Sequence, residues 1–229
     1  MKRITVLTRL AYFGLREPVS ALTHILGSIL SIIAFIVIFP IVDHKHSNLY
    51  TFTFSLYAVS QIALYSTSAL YHSVNHSKEM VALLLKYDKA MIFFLIMGTY
   101  APVCLVMLGG LWGKALFGIN MVLCFFGIYL TLFAKEESNQ VKYFCQSLYI
   151  ICGWLIFVGW APLIKNVDNV VSFYIFWGGV IYTIGAVIME DKHIKIIPKY
   201  FESHELWHLI VMLGSSCHFY AIYKFLTGS

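Results

Sequence analysis

The chain carries seven apolar runs, each long enough to cross a bilayer and separated from the next by a short polar break. They cover Val19–Val42, Leu49–Ser73, Tyr87–Leu108, Gly113–Ala134, Val141–Leu163, Val170–Met189 and His204–Leu226. A hydrocarbon core needs about 20 such residues in a helix, and only helices or closed barrels satisfy their backbone there. Barrel strands would alternate polar and apolar over about ten residues. These runs are apolar on every side, so the sequence predicts an all-α integral membrane bundle of seven transmembrane helices. Composition agrees, since only 12% of residues are charged where an average soluble domain has about 25%. One seven-helix transmembrane domain is expected over residues 1–229, beginning with a short basic segment, residues 1–18. A disordered, collagen-like or disulfide-stapled secreted chain is excluded. Cys104, Cys124, Cys145, Cys152 and Cys217 stand singly in apolar stretches and read as packing residues.

Charge placement predicts the orientation. Lys2, Arg3, Arg9, Arg16, Lys78, Lys86, Lys89, Lys135, Lys142, Lys192, Lys195 and Lys199 fall on the side of the N-terminus; Lys45, Lys114, Lys165 and Lys224 fall on the other. The excess of Lys and Arg marks the cytoplasmic face, so the N-terminus is expected inside and the C-terminus outside. The net charge of +5 is then an orientation signal, and nucleic acid is not an expected partner. Pro18 suits the first turn of span one and Pro40 its end. Pro102, after Gly98, predicts a kink in span three.

Ionisable residues inside spans are costly and mark function. Here they are His24, His72, Asp88, His204, Glu205, His208 and His218. With the spans threaded in order, His72, Asp88, His204, His208 and His24 fall at one depth, near the cytoplasmic interface. His204 and His208 leave one helical face, being four residues apart, the way a helix offers two nitrogen ligands to one metal. Ser68 and His72 repeat the spacing on span two. His72, His204 and His208 make a three-histidine set of the kind that holds catalytic zinc and leaves a position for water, whose pKa zinc lowers to about 7. Asp88, from a third helix, could accept a hydrogen bond from that water or orient a ligand; as an alternative it could cap its helix. Ser68 could equally be a helix-contact residue. His24 and His218 are expected to hydrogen-bond between helices, with His218 about 15 Å along the axis from His208 and outside any shared site.

Together, Glu17-Pro18-Val19-Ser20, Thr23-His24, Ser68 to His72, Asp88 and His204 to His208 resemble the hemolysin III family, which groups with progestin and adiponectin receptors and alkaline ceramidases. The resemblance spans essentially the whole chain. It implies a zinc ion on His72, His204 and His208, Ser68 and Asp88 around the metal-bound water, and hydrolysis of an amide bond in a lipid such as a ceramide. A membrane lipid would then be the substrate or ligand, in a bacterial inner (plasma) membrane. In that reaction Asp88 would move a proton and Ser68 would hydrogen-bond the water or the developing oxyanion. Acyl chains would lie among Phe93, Phe94 and Trp207, aromatics that more often serve as plain packing or interface-belt residues.

Rival readings remain. His204-Glu205-Leu206-Trp207-His208 matches H-E-x-x-H, the metalloprotease helix in which the glutamate is the general base; Asp88 could supply its third ligand. A receptor-like or hemolysin protein would use zinc structurally, with His24 or His76 as fourth ligand. A pore or transporter would need polar residues near mid-membrane, which spans four to six nearly lack.

Overall fold

The computed structural model describes residues 14–45, 47–134, 139–191, 193–197 and 201–228. Part of the orientation count (Lys2, Arg3, Arg9, Lys135, Lys192 and Lys199), most of the basic segment 1–18, and the loop residue His46 lie outside them. The helices are α1 (Pro18–Asp43), α2 (Asn48–Ser73), α3 (Lys78–Pro102), α4 (Gly110–Phe133), α5 (Asn139–Trp154), α6 (Trp160–Asn166), α7 (Asn169–Glu190) and α8 (Ser203–Thr227). A short hairpin of β1 (Lys195–Ile197) and β2 (Phe201–Glu202) precedes α8. Helices pack in sequence from α1 to α4, and α8 lies against both α7 and α1.

Six stretches are long and apolar enough to cross a membrane: α1, α3 with its continuation to Leu108, α4, α5 through α6, α7 and α8. On α1 the small and polar Ser20, Ala21, His24, Gly27 and Ser31 face inward. Leu26, Ile29, Ile33 and Ile36 lie exposed, an apolar face that a water-soluble protein would have to cover. The remaining long helix, α2, has the length for a span but a different composition. Its inner face carries Tyr57, Gln61, Tyr65, Ser68 and His72 at helical spacing, and all five are buried. Polarity pointed at the interior, rather than at lipid, lowers the hydropathy of α2 below that of its neighbours.

The sequence places span three from Tyr87, yet α3 begins at Lys78, where the Ser77 side chain accepts a hydrogen bond from the Met80 N–H. Ser77 is therefore the cap, and Asp88 sits well inside the helix with its side chain free for other work. Pro102 perturbs the helix as expected: α3 passes into a π-helical turn, Val103–Leu108, closed by Gly109 at φ +65°. A side chain at Gly113 would meet the Cys104 carbonyl oxygen 1.9 Å away, so α4 rests directly on that turn. The apolar stretch of α5 and α6 is also broken, by a 3₁₀ segment at Leu155–Gly159. The Tyr100 hydroxyl donates to the Gly153 carbonyl at 2.8 Å and accepts from the Ile156 N–H at 2.9 Å. It thereby satisfies backbone groups that the break frees, as an apolar surround requires.

All five cysteines are free thiols, four of them buried, in keeping with packing roles. Phe93 is also a packing residue: it is fully buried against Tyr149 and over Gly127. Trp207 covers Gly185 of α7.

Candidate metal centre

His72 ends α2, and His204 and His208 occupy the first turns of α8. The helices bring these residues together. One ligand atom from each lies within 4.8 Å of the others, and Nε2 of His72 is 3.3 Å from Nε2 of His204. Two nitrogens on a tetrahedral zinc, each at about 2.0–2.1 Å from the ion, stand about 3.3–3.4 Å apart. His72 and His208 are buried and His204 is half-buried.

The far nitrogens of His72 and His208 are committed elsewhere, which decides what their near ones offer. Nδ1 of His72 meets the Glu17 carboxylate, and the Arg16 guanidinium pairs with the other oxygen of that carboxylate at 3.2 Å. A carboxylate only accepts, so the His72 proton is on Nδ1 and Nε2 presents a lone pair. Thr23 spends its single hydroxyl proton on the Ser20 carbonyl at 2.9 Å, so its contact with His208 Nδ1 at 3.2 Å is one in which the ring donates. His208 Nε2 is likewise left as a lone pair. Metal-bound histidines characteristically donate their other N–H to a carboxylate or similar acceptor, so the residues present fit a divalent ion bound through imidazole. Burial raises the Glu17 carboxyl, but the hydrogen bond and charge of His72, with the charges of Arg16 and His204, outweigh it and hold Glu17 below the usual carboxylate range.

The strap before α1 is fastened to α2 by its backbone. The Glu17 N–H donates to the His72 carbonyl at 3.0 Å and the Arg16 N–H to Ser73 at 3.4 Å. Asp88 of α3 is the neighbour of Ser68 and His72, beside the three-histidine group and not within it. Glu205 is occupied otherwise. Its Oε1 accepts from the Ser20 hydroxyl at 2.7 Å and its Oε2 from the Glu202 N–H at 2.9 Å, closing a capping box at the start of α8.

His24 and His218, expected to hydrogen-bond between helices, do otherwise. His24 stacks face to face on His208, with ring centroids 3.6 Å apart, and meets the edge of Tyr65; neither of its nitrogens has a hydrogen-bond partner. Histidine's flat ring lets it fill the slot between α1 and α8 by stacking alone. His218 bonds within its own helix, to the Gly214 carbonyl, and stacks on Tyr182. His76 is exposed beyond α2, outside the group. Sequence reading assigned no role to Glu17, Ser20 or Thr23. The available signal was the spacing of 17, 20 or 21, 24 and 27, which sets polar and small residues on the inward face of α1.

A bundle of long apolar helices that brings three imidazoles together is a polytopic membrane protein with a site able to hold a metal ion. The family model for haemolysin-III related proteins matches residues 14–219, and the chain belongs to that family. It is 33% identical over 216 residues to Hemolysin-3 of Bacillus cereus, covering 94% of both chains. It is 29% identical to a Hemolysin-3 homolog of Bacillus subtilis, covering 92% of this chain and 94% of that one. A human relative, the monocyte to macrophage differentiation factor, is 28% identical over 76% of this chain and 70% of its own length. The protein is accordingly a multi-pass integral membrane protein.

Proposed function

We propose that the chain is a single-domain, seven-span, zinc-dependent hydrolase that cleaves an amide bond in a membrane lipid, with its N-terminus and metal centre at the cytoplasmic side of a bacterial inner membrane. The observation that carries the reading is the 3.3 Å approach of the His72 and His204 Nε2 atoms, with His72 Nδ1 already held by Glu17. Three imidazoles with one coordination position left over suit catalytic zinc. When bound there, zinc supplies an acidified water and a Lewis acid for a carbonyl oxygen.

The chain's own groups would do the rest. Glu17 and Thr23 fix the tautomers and planes of His72 and His208. Asp88 accepts a proton from the attacking water and returns it to the leaving amine, while the Ser68 hydroxyl hydrogen-bonds the developing oxyanion. Support for the orientation comes from Arg16, Lys78, Lys86 and Lys89, which lie with the three histidines at one end of the bundle. The polar inner face of α2 supports its reading as a span shielded by its neighbours.

The protease alternative is disfavoured because both carboxylate oxygens of Glu205 are engaged in the cap and with Ser20. A receptor or hemolysin with structural zinc calls for a fourth protein ligand, and among the described residues the group contains three. The test is metal analysis of purified protein, wild type against His72→Ala and His208→Ala. About one zinc per chain in wild type, lost in both variants, supports the centre; metal-free wild type after chelator-free purification removes it. A lipid-amide hydrolysis assay follows, with Asp88→Asn and Ser68→Ala expected to retain zinc and lose turnover.

A further inference from the structure

About 15 Å beyond His208 along α8, His218 forms part of the wall of a cavity of about 40 Å³. Aromatic side chains dominate that wall: Trp154, Phe157, Trp160 and Phe176 join Thr99 and His218 around the space, and no charged residue borders it. The cavity sits where the stretch of α5 and α6 is broken by its 3₁₀ turn and where α3 enters its π turn. Such breaks recur at functional sites.

Hydrogen-bond arithmetic says what the cavity lacks. His218 Nδ1 faces the Gly214 carbonyl at 2.9 Å; a carbonyl only accepts, so Nδ1 carries the proton and Nε2 keeps a lone pair. Among the described residues nothing donates to that lone pair. Thr99 gives its proton to the Leu95 carbonyl at 2.8 Å and so also offers only acceptor capacity. The Tyr100 hydroxyl is used in both senses, and Trp154 Nε1 donates to Thr183 at 3.0 Å. The side chains of the wall therefore offer two acceptors and no spare donor. Its size is that of about three waters, but each would want two to four polar partners, and two acceptors fall short of that.

We propose that this cavity binds the hydroxyl end of a neutral, long-chain membrane amphiphile, the O–H donating to His218 Nε2 and the first methylenes lying against the aromatic wall. The ligand comes from the bilayer because Phe157 both borders the cavity and is exposed. An acid or amine would bring a charge that nothing in the wall could balance. The site is separate from the three-histidine centre and stands whether or not that centre is catalytic.

A diazirine-bearing long-chain alcohol, added to the full chain in nanodiscs, is expected to label residues 154–160 or 173–179 saturably. Unlabelled dodecanol should compete about tenfold better than its methyl ether, which lacks the donor, the factor that 1.4 kcal/mol represents. His218→Phe keeps a ring of similar size without the acceptor and should erase that preference while leaving zinc content unchanged. Equal competition by alcohol and ether in wild type overturns the proposal without recourse to any variant. So does labelling that never saturates, labelling that falls instead on the metal centre, or a preference that survives in His218→Phe.

Discussion

Removing the Glu17 carboxylate is the sharpest probe of the metal centre. In Glu17→Ala the backbone link from residue 17 to the His72 carbonyl, at 3.0 Å, needs no side chain, so the strap should stay docked on α2. What disappears is the charged acceptor that keeps the His72 proton on Nδ1. The ring is then free to rotate and to place its proton on Nε2, the atom 3.3 Å from its His204 counterpart. Losing such an outer partner typically costs 10–100-fold in metal affinity, or about 1.4–2.8 kcal/mol. Thr23→Val removes a neutral acceptor from His208 and should cost less, about 0.5–1.5 kcal/mol and so about 2–13-fold. Glu17→Gln, which keeps an uncharged acceptor, should fall between wild type and alanine. Zinc affinity is read by competition against a chromophoric chelator, in nanodiscs, with no dependence on turnover. Unchanged affinity in Glu17→Ala, or an equal loss in Thr23→Val, would refute the ranking and the role given to Glu17.

Asp88→Asn should lower lipid-amide hydrolysis by about 10²–10⁴-fold at unchanged zinc content; parallel loss of both would mean that Asp88 holds the metal. Glu205→Gln should retain zinc and hydrolysis, because glutamine still closes the cap, while Glu205→Ala should cost about 1 kcal/mol of stability at the start of α8; hydrolysis abolished in the glutamine variant would restore the H-E-x-x-H reading. A methyl group at Gly98 would meet Ser60 Oγ at 2.0 Å and Cβ at 2.5 Å, so Gly98→Ala should destabilise the α2–α3 contact by about 1–3 kcal/mol, read as a lower thermal midpoint in detergent. Asn120→Leu removes the 3.0 Å bond from α4 to the Cys152 carbonyl of α5, a loss of about 0.6 kcal/mol, the mean for such bonds in membranes; a stability change several-fold larger would mean that this bond organises the broken stretch of α5 and α6.

The helical class and the short list of polar residues follow from the sequence alone, because lipid tolerates so few alternatives. A run of about 20 apolar residues has one backbone solution, and an imidazole or carboxylate inside it must answer to a partner. The unusual helix was not legible in this way: the sequence counts α2 among seven equivalent runs, whereas the bundle encloses its Tyr57, Ser60, Gln61, Tyr65, Ser68 and His72. Helix starts were less legible. Lys78 to Lys86 looked like a loop because hydropathy registers only the lipid-facing part of a helix, whereas good helix formers and the Ser77 cap extend α3 beyond it.

The partnerships were invisible in one dimension. Glu17 stands 55 positions from His72 and Ser20 stands 185 from Glu205, and no local periodicity links residues so far apart. Whether Glu205 serves a metal or a helix cap, and whether His24 hydrogen-bonds or stacks, depends on which face of α1 turns toward α8. The chain specified which helices exist and which polar atoms each must hide. Only packing chose the neighbour for every one of them, since a hydrogen bond or a metal ligand is settled by a few tenths of an ångström that helical spacing cannot encode.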